Sequence, residues 1–215
     1  MLINRYFKLS LTISLLKVSM FLKATPIIGT HLLCFSFSSM LHPIVGAYHS
    51  AFTTIAIFSI PLCVKWLLMG FFPMVHFAYC VPGLLAALAW NRSGLATLIS
   101  IACMILFFLH PTGGQVMLYT LYWFIPIVIS LMAAKHPFLR ALRGTFIAHA
   151  VGSVIWIYTV PMAAEQWLAL IPVVALERST FALGATLLYY LIAYLSIKSK
   201  QKNTVKNNVA ISHLG

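Results

Sequence analysis

Residues 94–109 read GLATLISIACMILFFL, residues 110–114 read HPTGG, and residues 115–133 read QVMLYTLYWFIPIVISLMA. Across all of 94–133 there is no Asp, Glu, Lys or Arg. A buried strand would stop after about four to eight residues, and a half-buried one would alternate apolar with polar. These two runs do neither, so they read as helices. A helix needs about 20 apolar residues to cross the hydrocarbon core, and somewhat shorter runs are accommodated by local thinning of the bilayer. His110-Pro111-Thr112-Gly113-Gly114 supplies the turn between them. The pair is therefore read as a helical hairpin solvated by lipid.

The same pattern extends in both directions. Further apolar segments lie at about 44–62, 73–90, 145–163 and 179–197. They are separated by Asn91-Arg92-Ser93-Gly94, by a basic stretch from Lys135 to Gly144, and by a break from Pro161 to Gln166. The whole chain has 215 residues, of which 62% are hydrophobic and 7% charged, with a mean hydropathy of +0.99. Soluble domains carry about 25% charged residues. Only helices or closed barrels satisfy the backbone in lipid. The expected fold class is thus all-α: a polytopic membrane helical bundle of about six core transmembrane helices plus an N-terminal apolar segment.

Three regions are expected. Residues 1–42 form a basic and apolar extension: an extra hairpin, an interfacial helix or a signal-like segment. It holds Lys17 inside one apolar run and His31 inside the next. Residues 43–197 form the six-helix domain. Residues 198–215 form a basic tail, expected to be disordered.

The net charge of +12 is not read as a nucleic-acid footprint, because the cations flank apolar runs. Arg5, Lys8, Lys17 and Lys23 lie at the start. Lys135, Arg140 and Arg143 share one gap, and Lys198, Lys200, Lys202 and Lys206 lie at the end. Such groups set topology and meet anionic lipid. Placing the C-terminal tail in the cytoplasm puts the 134–143 loop and Arg92 inside. The gaps 63–72, 110–114 and 164–178 then fall outside with both acids, Glu165 and Glu177. This bias suits a bacterial inner membrane. The four cysteines are far apart in apolar runs and form no metal spacing.

Chemistry-bearing residues gather at the outer side of this topology. The 164–178 stretch is too apolar for an external loop and reads as a re-entrant or interfacial cap. Glu177-Arg178 would open the last helix, where the dipole favours an acid, or contact a ligand at the outer mouth. Gln115, Tyr119 and Tyr122 share a helix face at i, i+4 and i+7, with Trp123 beside them, and the next helix brings Trp156 and Tyr158 to the same level. These rings form an interfacial belt or a box for a flat ligand, and His110 stands at its edge. His149 and Ser153, four apart, are read as helix packing with an internal His–Ser hydrogen bond. Enzyme motifs are missing: there is no Asp for paired aspartates, no HExxH, no Gly-x-Ser-x-Gly and no phosphate loop. The sequence thus assigns no catalytic residue, metal ligand or cofactor.

Six short helices, both ends of the core inside and a capping segment before the last helix resemble the substrate-binding S components of energy-coupling-factor vitamin transporters. Ala47-Tyr48-His49-Ser50-Ala51 adds an Ala-x-x-x-Ala at the cytoplasmic start of the first core helix. The resemblance implies docking of Ala47 and Ala51 on a transmembrane coupling subunit and energy from partner ATPase subunits. It implies a vitamin or related precursor stacked by Tyr119, Tyr122, Trp123 and Trp156. His110, Gln115, Glu177 and Arg178 would fix its polar groups. The competing expectations are a solitary secondary transporter with His149 as relay, an intramembrane enzyme, and an assembly or structural protein of a membrane complex.

Overall fold

The computed structural model describes residues 2–21, 23–26, 34–36, 38–70 and 74–212. His31, the middle of the apolar 26–41 stretch, part of the 63–72 gap and the last three residues of the tail lie outside the described residues. The described chain is helical apart from one short antiparallel strand pair, β1 (Lys23–Pro26) and β2 (Cys34–Ser36).

In chain order the helices are α1 (Leu2–Phe21), α2 (Ser38–Tyr48), α3 (Ala51–Met69), α4 (Met74–Ala89) and α5 (Ser93–Leu109). Then come α6 (Pro111–Gln115), α7 (Met117–Thr120), a single 3-10 turn (Leu121–Trp123), α8 (Phe124–Leu131), α9 (Pro137–Thr159) and α10 (Ala164–Ser212). Among the described residues, three helices are long and apolar enough to cross a membrane: Ala51–Met69, Pro137–Thr159 and the Ala164–Ser199 part of α10. Shorter apolar helices cover Cys80–Ala89, Ser93–Leu109 and Met117–Leu131. This supports an integral membrane protein whose outward apolar side chains meet lipid.

The bundle is organised around α9, which packs against α10, α4, α5, α8 and α2. Its sequence explains its central place. Ala141, Gly144, Ala150 and Ser153 are small, and all are buried. Small side chains let neighbouring backbones come close in lipid, where tight packing replaces the hydrophobic drive. By contrast α3 packs mainly on α4 and presents Phe52, Ile60, Leu67 and Leu68 outward.

Three expectations are corrected here. The first apolar segment is not one helix. The chain breaks after Tyr48, and Ser50 caps α3 by accepting from the Thr53 amide at 3.3 Å. The Ala47–Ala51 pair therefore straddles two helices and forms no continuous Ala-x-x-x-Ala ridge. Second, residues 164–178 are no separate cap. They are the opening turns of α10, which runs unbroken for 49 residues with Pro172 inside it. An interior proline removes one hydrogen bond and costs about 3 kcal/mol, and the packing of α10 on α9 keeps the helix continuous through it. Glu177 and Arg178 consequently sit about 20 Å along α10 rather than at its start. Third, Gln115, Tyr119 and Tyr122 do not share one helix face. Val116 (φ −119°, ψ 41°) separates α6 from α7, and the 3-10 turn follows. Gly113-Gly114 before the break and Pro126 after it weaken a regular helix there. Residues 198–212 of the basic tail continue α10 as helix.

Short α2 is sunk into the bundle. Leu41, Ile44 and Val45 are buried, and glycines let it in. A Cβ at Gly46 of α2 would lie 1.8 Å from the Ala87 carbonyl oxygen, and one at Gly144 of α9 would lie 2.7 Å from Pro43 Cβ.

Candidate functional site

The most concentrated chemistry lies between α5, α7, α9 and α10. Phe107 near the end of α5 is the hub of an aromatic cluster. It stacks on Tyr119 at 5.7 Å between centroids, and it meets Trp123 and Trp167 edge-on at 5.1 and 5.2 Å. Tyr119 in turn meets Trp167 edge-on at 5.0 Å and lies 5.5 Å from the ring of His149. Edge-to-face pairs of this kind are worth about 0.5–1.5 kcal/mol each beyond area burial. Trp123, Tyr119, Phe107 and Trp167 are all buried.

The cluster continues inward as a polar column. The Tyr119 and Ser153 hydroxyls share a hydrogen bond at 3.3 Å. Ser153 is thus engaged by Tyr119, and His149 Nε2 is buried without a hydrogen-bond partner among the described residues. The expected His149–Ser153 bond is therefore replaced by a contact between helices, because the broken α6–α7 backbone swings the phenol onto α9. Tyr122 stacks on Phe146 at 5.7 Å and donates to the Ile171 carbonyl at 2.7 Å. Below it, Thr145 donates to the Arg178 carbonyl at 3.4 Å. The Arg178 guanidinium is paired with Glu177 and lies 4.7 Å over the Phe181 ring. Arg178 is 4% exposed and Glu177 10%, and both lie within electrostatic reach of Tyr119. A buried ion pair costs several kcal/mol of desolvation per ion, so it marks a place where polarity is wanted.

Two further buried donors stand out. Trp123 Nε1 and Trp167 Nε1 have no hydrogen-bond partner among the described residues. Buried polar groups are nearly always paired; two indoles and an imidazole without a partner among the described residues gather around this one aromatic cluster. Beside the cluster a half-open cleft of about 530 Å³ is lined by His110, Thr112, Tyr158, Pro161 and Met162, among others. Ile157 and Met162 belong both to the cleft wall and to the cluster's packing.

The structure thus brings Tyr119 and Trp123 together in the cluster, with Tyr122, Glu177 and Arg178 further inward. Trp156 is half-buried and donates to Met162 Sδ at 3.1 Å. His110 lines the neighbouring cleft, edge-on to Tyr158 at 5.1 Å. Gln115 is exposed and joins neither. Sequence reasoning passed over Trp167, the central ring from α10. It was one of several apolar residues in a presumed cap, and only the i, i+7 and i+11 spacing to Val174 and Arg178 could have placed it on one inward face. Among the described residues no group of His, Cys, Asp and Glu is arranged to hold a metal. No family model, curated protein or solved structure matches the chain.

Proposed function

We propose that this chain is the membrane-embedded substrate-binding subunit of an uptake transporter for a small organic molecule, of the S-component type. The observation that carries the reading is the buried cluster of Tyr119, Trp123, Trp167 and His149, with its orphaned nitrogens, above the Glu177–Arg178 pair. Ligand sites are mostly apolar concavities with a few placed polar groups, and this column has that composition. In this reading the ligand, a vitamin or precursor, enters by the cleft at His110 and Met162 and stacks among the rings. The indoles donate to it, and the ion pair orients its polar end.

The same reading takes six core spans over 43–197, a bacterial inner membrane and a cytoplasmic C-terminus. The chain has no phosphate loop, so partner ATPase subunits supply the energy through a transmembrane coupling subunit. In this reading Ala47, at the end of α2, and Ala51, at the start of α3, meet that subunit at the inner end as two separate small residues and not as one helical ridge.

The test is purification of the tagged chain from its native membrane in mild detergent, followed by mass spectrometry of proteins and small molecules. The expected result is an ATPase pair with a coupling subunit, lost on Ala47→Leu, and a small molecule lost on Trp167→Ala. Recovery of the chain alone, without ligand, overturns the proposal.

A further inference from the structure

At the end of the bundle away from the cleft, cations and aromatic rings form a continuous belt. Lys8 of α1 places its ammonium 5.4 Å over the Tyr48 ring. Tyr48 stacks on Tyr189 at 5.3 Å and donates to its carbonyl. Tyr189 stacks on Trp90 at 6.0 Å. The Trp90 carbonyl accepts from Arg143 at 2.7 Å, and Arg143 also donates to the Ala89 carbonyl at 3.1 Å. One turn back on α9, Arg140 donates to Asn91 Oδ1 at 2.9 Å and to the Ala134 carbonyl at 3.3 Å. Asn91 closes the belt by donating to the Gly46 carbonyl at 3.0 Å. Arg92 and Lys135 are exposed at the same corner, and Lys198 is exposed further along α10.

Among the described residues no carboxylate side chain lies at this end. The sequence contains two acids; Glu177, the nearer along α10, lies twelve residues before Tyr189, about 18 Å up the helix. The bonded nitrogens of Arg140 and Arg143 meet neutral oxygens, which satisfy donors without neutralising charge. An uncompensated cluster of cations at the edge of a membrane bundle attracts anionic headgroups at about 1 kcal/mol per cation. The half-buried rings of Tyr48 and Tyr189 suit the headgroup level, and Trp90 is buried behind them.

We infer that this end of the bundle binds the phosphate of an acidic phospholipid, seated at the corner formed by Asn91, Arg92, Lys135 and Arg140 beside the half-buried Tyr48 and Tyr189, with Trp90 and Arg143 buried behind it. The occupant is a lipid headgroup and not a soluble anion, because the corner closes the charged end of a bundle whose outward side chains are apolar. This inference stands independently of the transport reading.

The test uses the purified full chain in a neutral detergent, with its melting temperature followed as phosphatidylglycerol, phosphatidylcholine or inorganic phosphate is added. Phosphatidylglycerol is expected to raise the midpoint by several degrees, and the other two to leave it unchanged. In the double variant Arg92→Gln/Lys135→Gln, both exposed positions, the rise should fall to less than half. Lys65→Gln, on α3, should keep it. Equal effects of the two lipids, an equal effect of inorganic phosphate, or an undiminished rise in the double variant each overturn the proposal.

Discussion

Trp123 and Trp167 pose the sharpest question at the scale of single residues. Each buries an indole whose N–H has no hydrogen-bond partner among the described residues, and an unsatisfied buried donor costs about 1–3 kcal/mol. Replacing the ring by another ring removes that cost while keeping most of the packing. Trp123→Phe leaves a small cavity, whose cost is offset by removal of the unpaired donor, so the net loss is expected to stay within about 1.5 kcal/mol. Trp123→Ala should lose about 3–5 kcal/mol. Chemical or thermal melting in detergent checks both, and a Phe variant as weak as the Ala variant would show that the N–H is paired. In the ligand-binding reading the Phe variant keeps its fold and loses affinity, which separates the donor's role from the ring's. Tyr119 and Trp123 were visible in advance as aromatic residues next to a turn. Trp167 was not, because its partners Phe107 and Tyr119 are 60 and 48 positions away, and such pairings carry no local signal.

Helices were legible wherever apolar residues ran on without interruption, as at 94–109, whose span matches α5 closely. What was illegible was where a run is cut or joined. The 44–62 run looks uniform, yet the Ser50 hydroxyl offers the Thr53 amide an acceptor and starts a new helix. Pro172 looks like a stop, yet α10 passes through it, because tertiary packing on α9 holds the turns on both sides. Both outcomes are decided by one hydrogen bond more or less, which hydropathy does not register. Close approach is equally silent in sequence: Gly144 and Gly94 look alike, but only the first faces another helix. Gly144→Ala should cost about 1–3 kcal/mol by overpacking against Pro43. Gly94→Ala, with nothing within 4 Å of its Cβ, should be close to neutral. Parallel melts of the two variants make the comparison, and equal effects would contradict the seating of α2.

For the whole molecule, the hydrogen bonds at Asn91 fix which ends lie together. Arg140 ties the α4–α5 turn to the start of α9, and the α5–α6 turn and the α9–α10 turn share the cleft at the opposite end. The charge bias alone pointed to this pairing of ends, since Arg92 and the 134–143 loop carry the basic residues. In a background with the four native cysteines replaced, Ser93→Cys and Lys135→Cys should react with an impermeant maleimide from one face of the membrane. Gln115→Cys and Ala163→Cys should react from the other. Labelling of 93 and 135 from opposite faces would refute the arrangement.

The seating of α2 has a consequence for the order of assembly. α2 is 11 residues long, about 16 Å as a helix, and too short to cross a bilayer by itself. Most of its seat is made by α4, α9 and α10, which emerge later during synthesis; α1 precedes it. At the moment α2 leaves the ribosome only the α1 side of its place exists. It has to wait at the lipid surface until α10 arrives, more than a hundred residues later. The final event of folding is then the closing of the last helix over the first buried one, so a chain truncated before α10 would be left with an unfinished core.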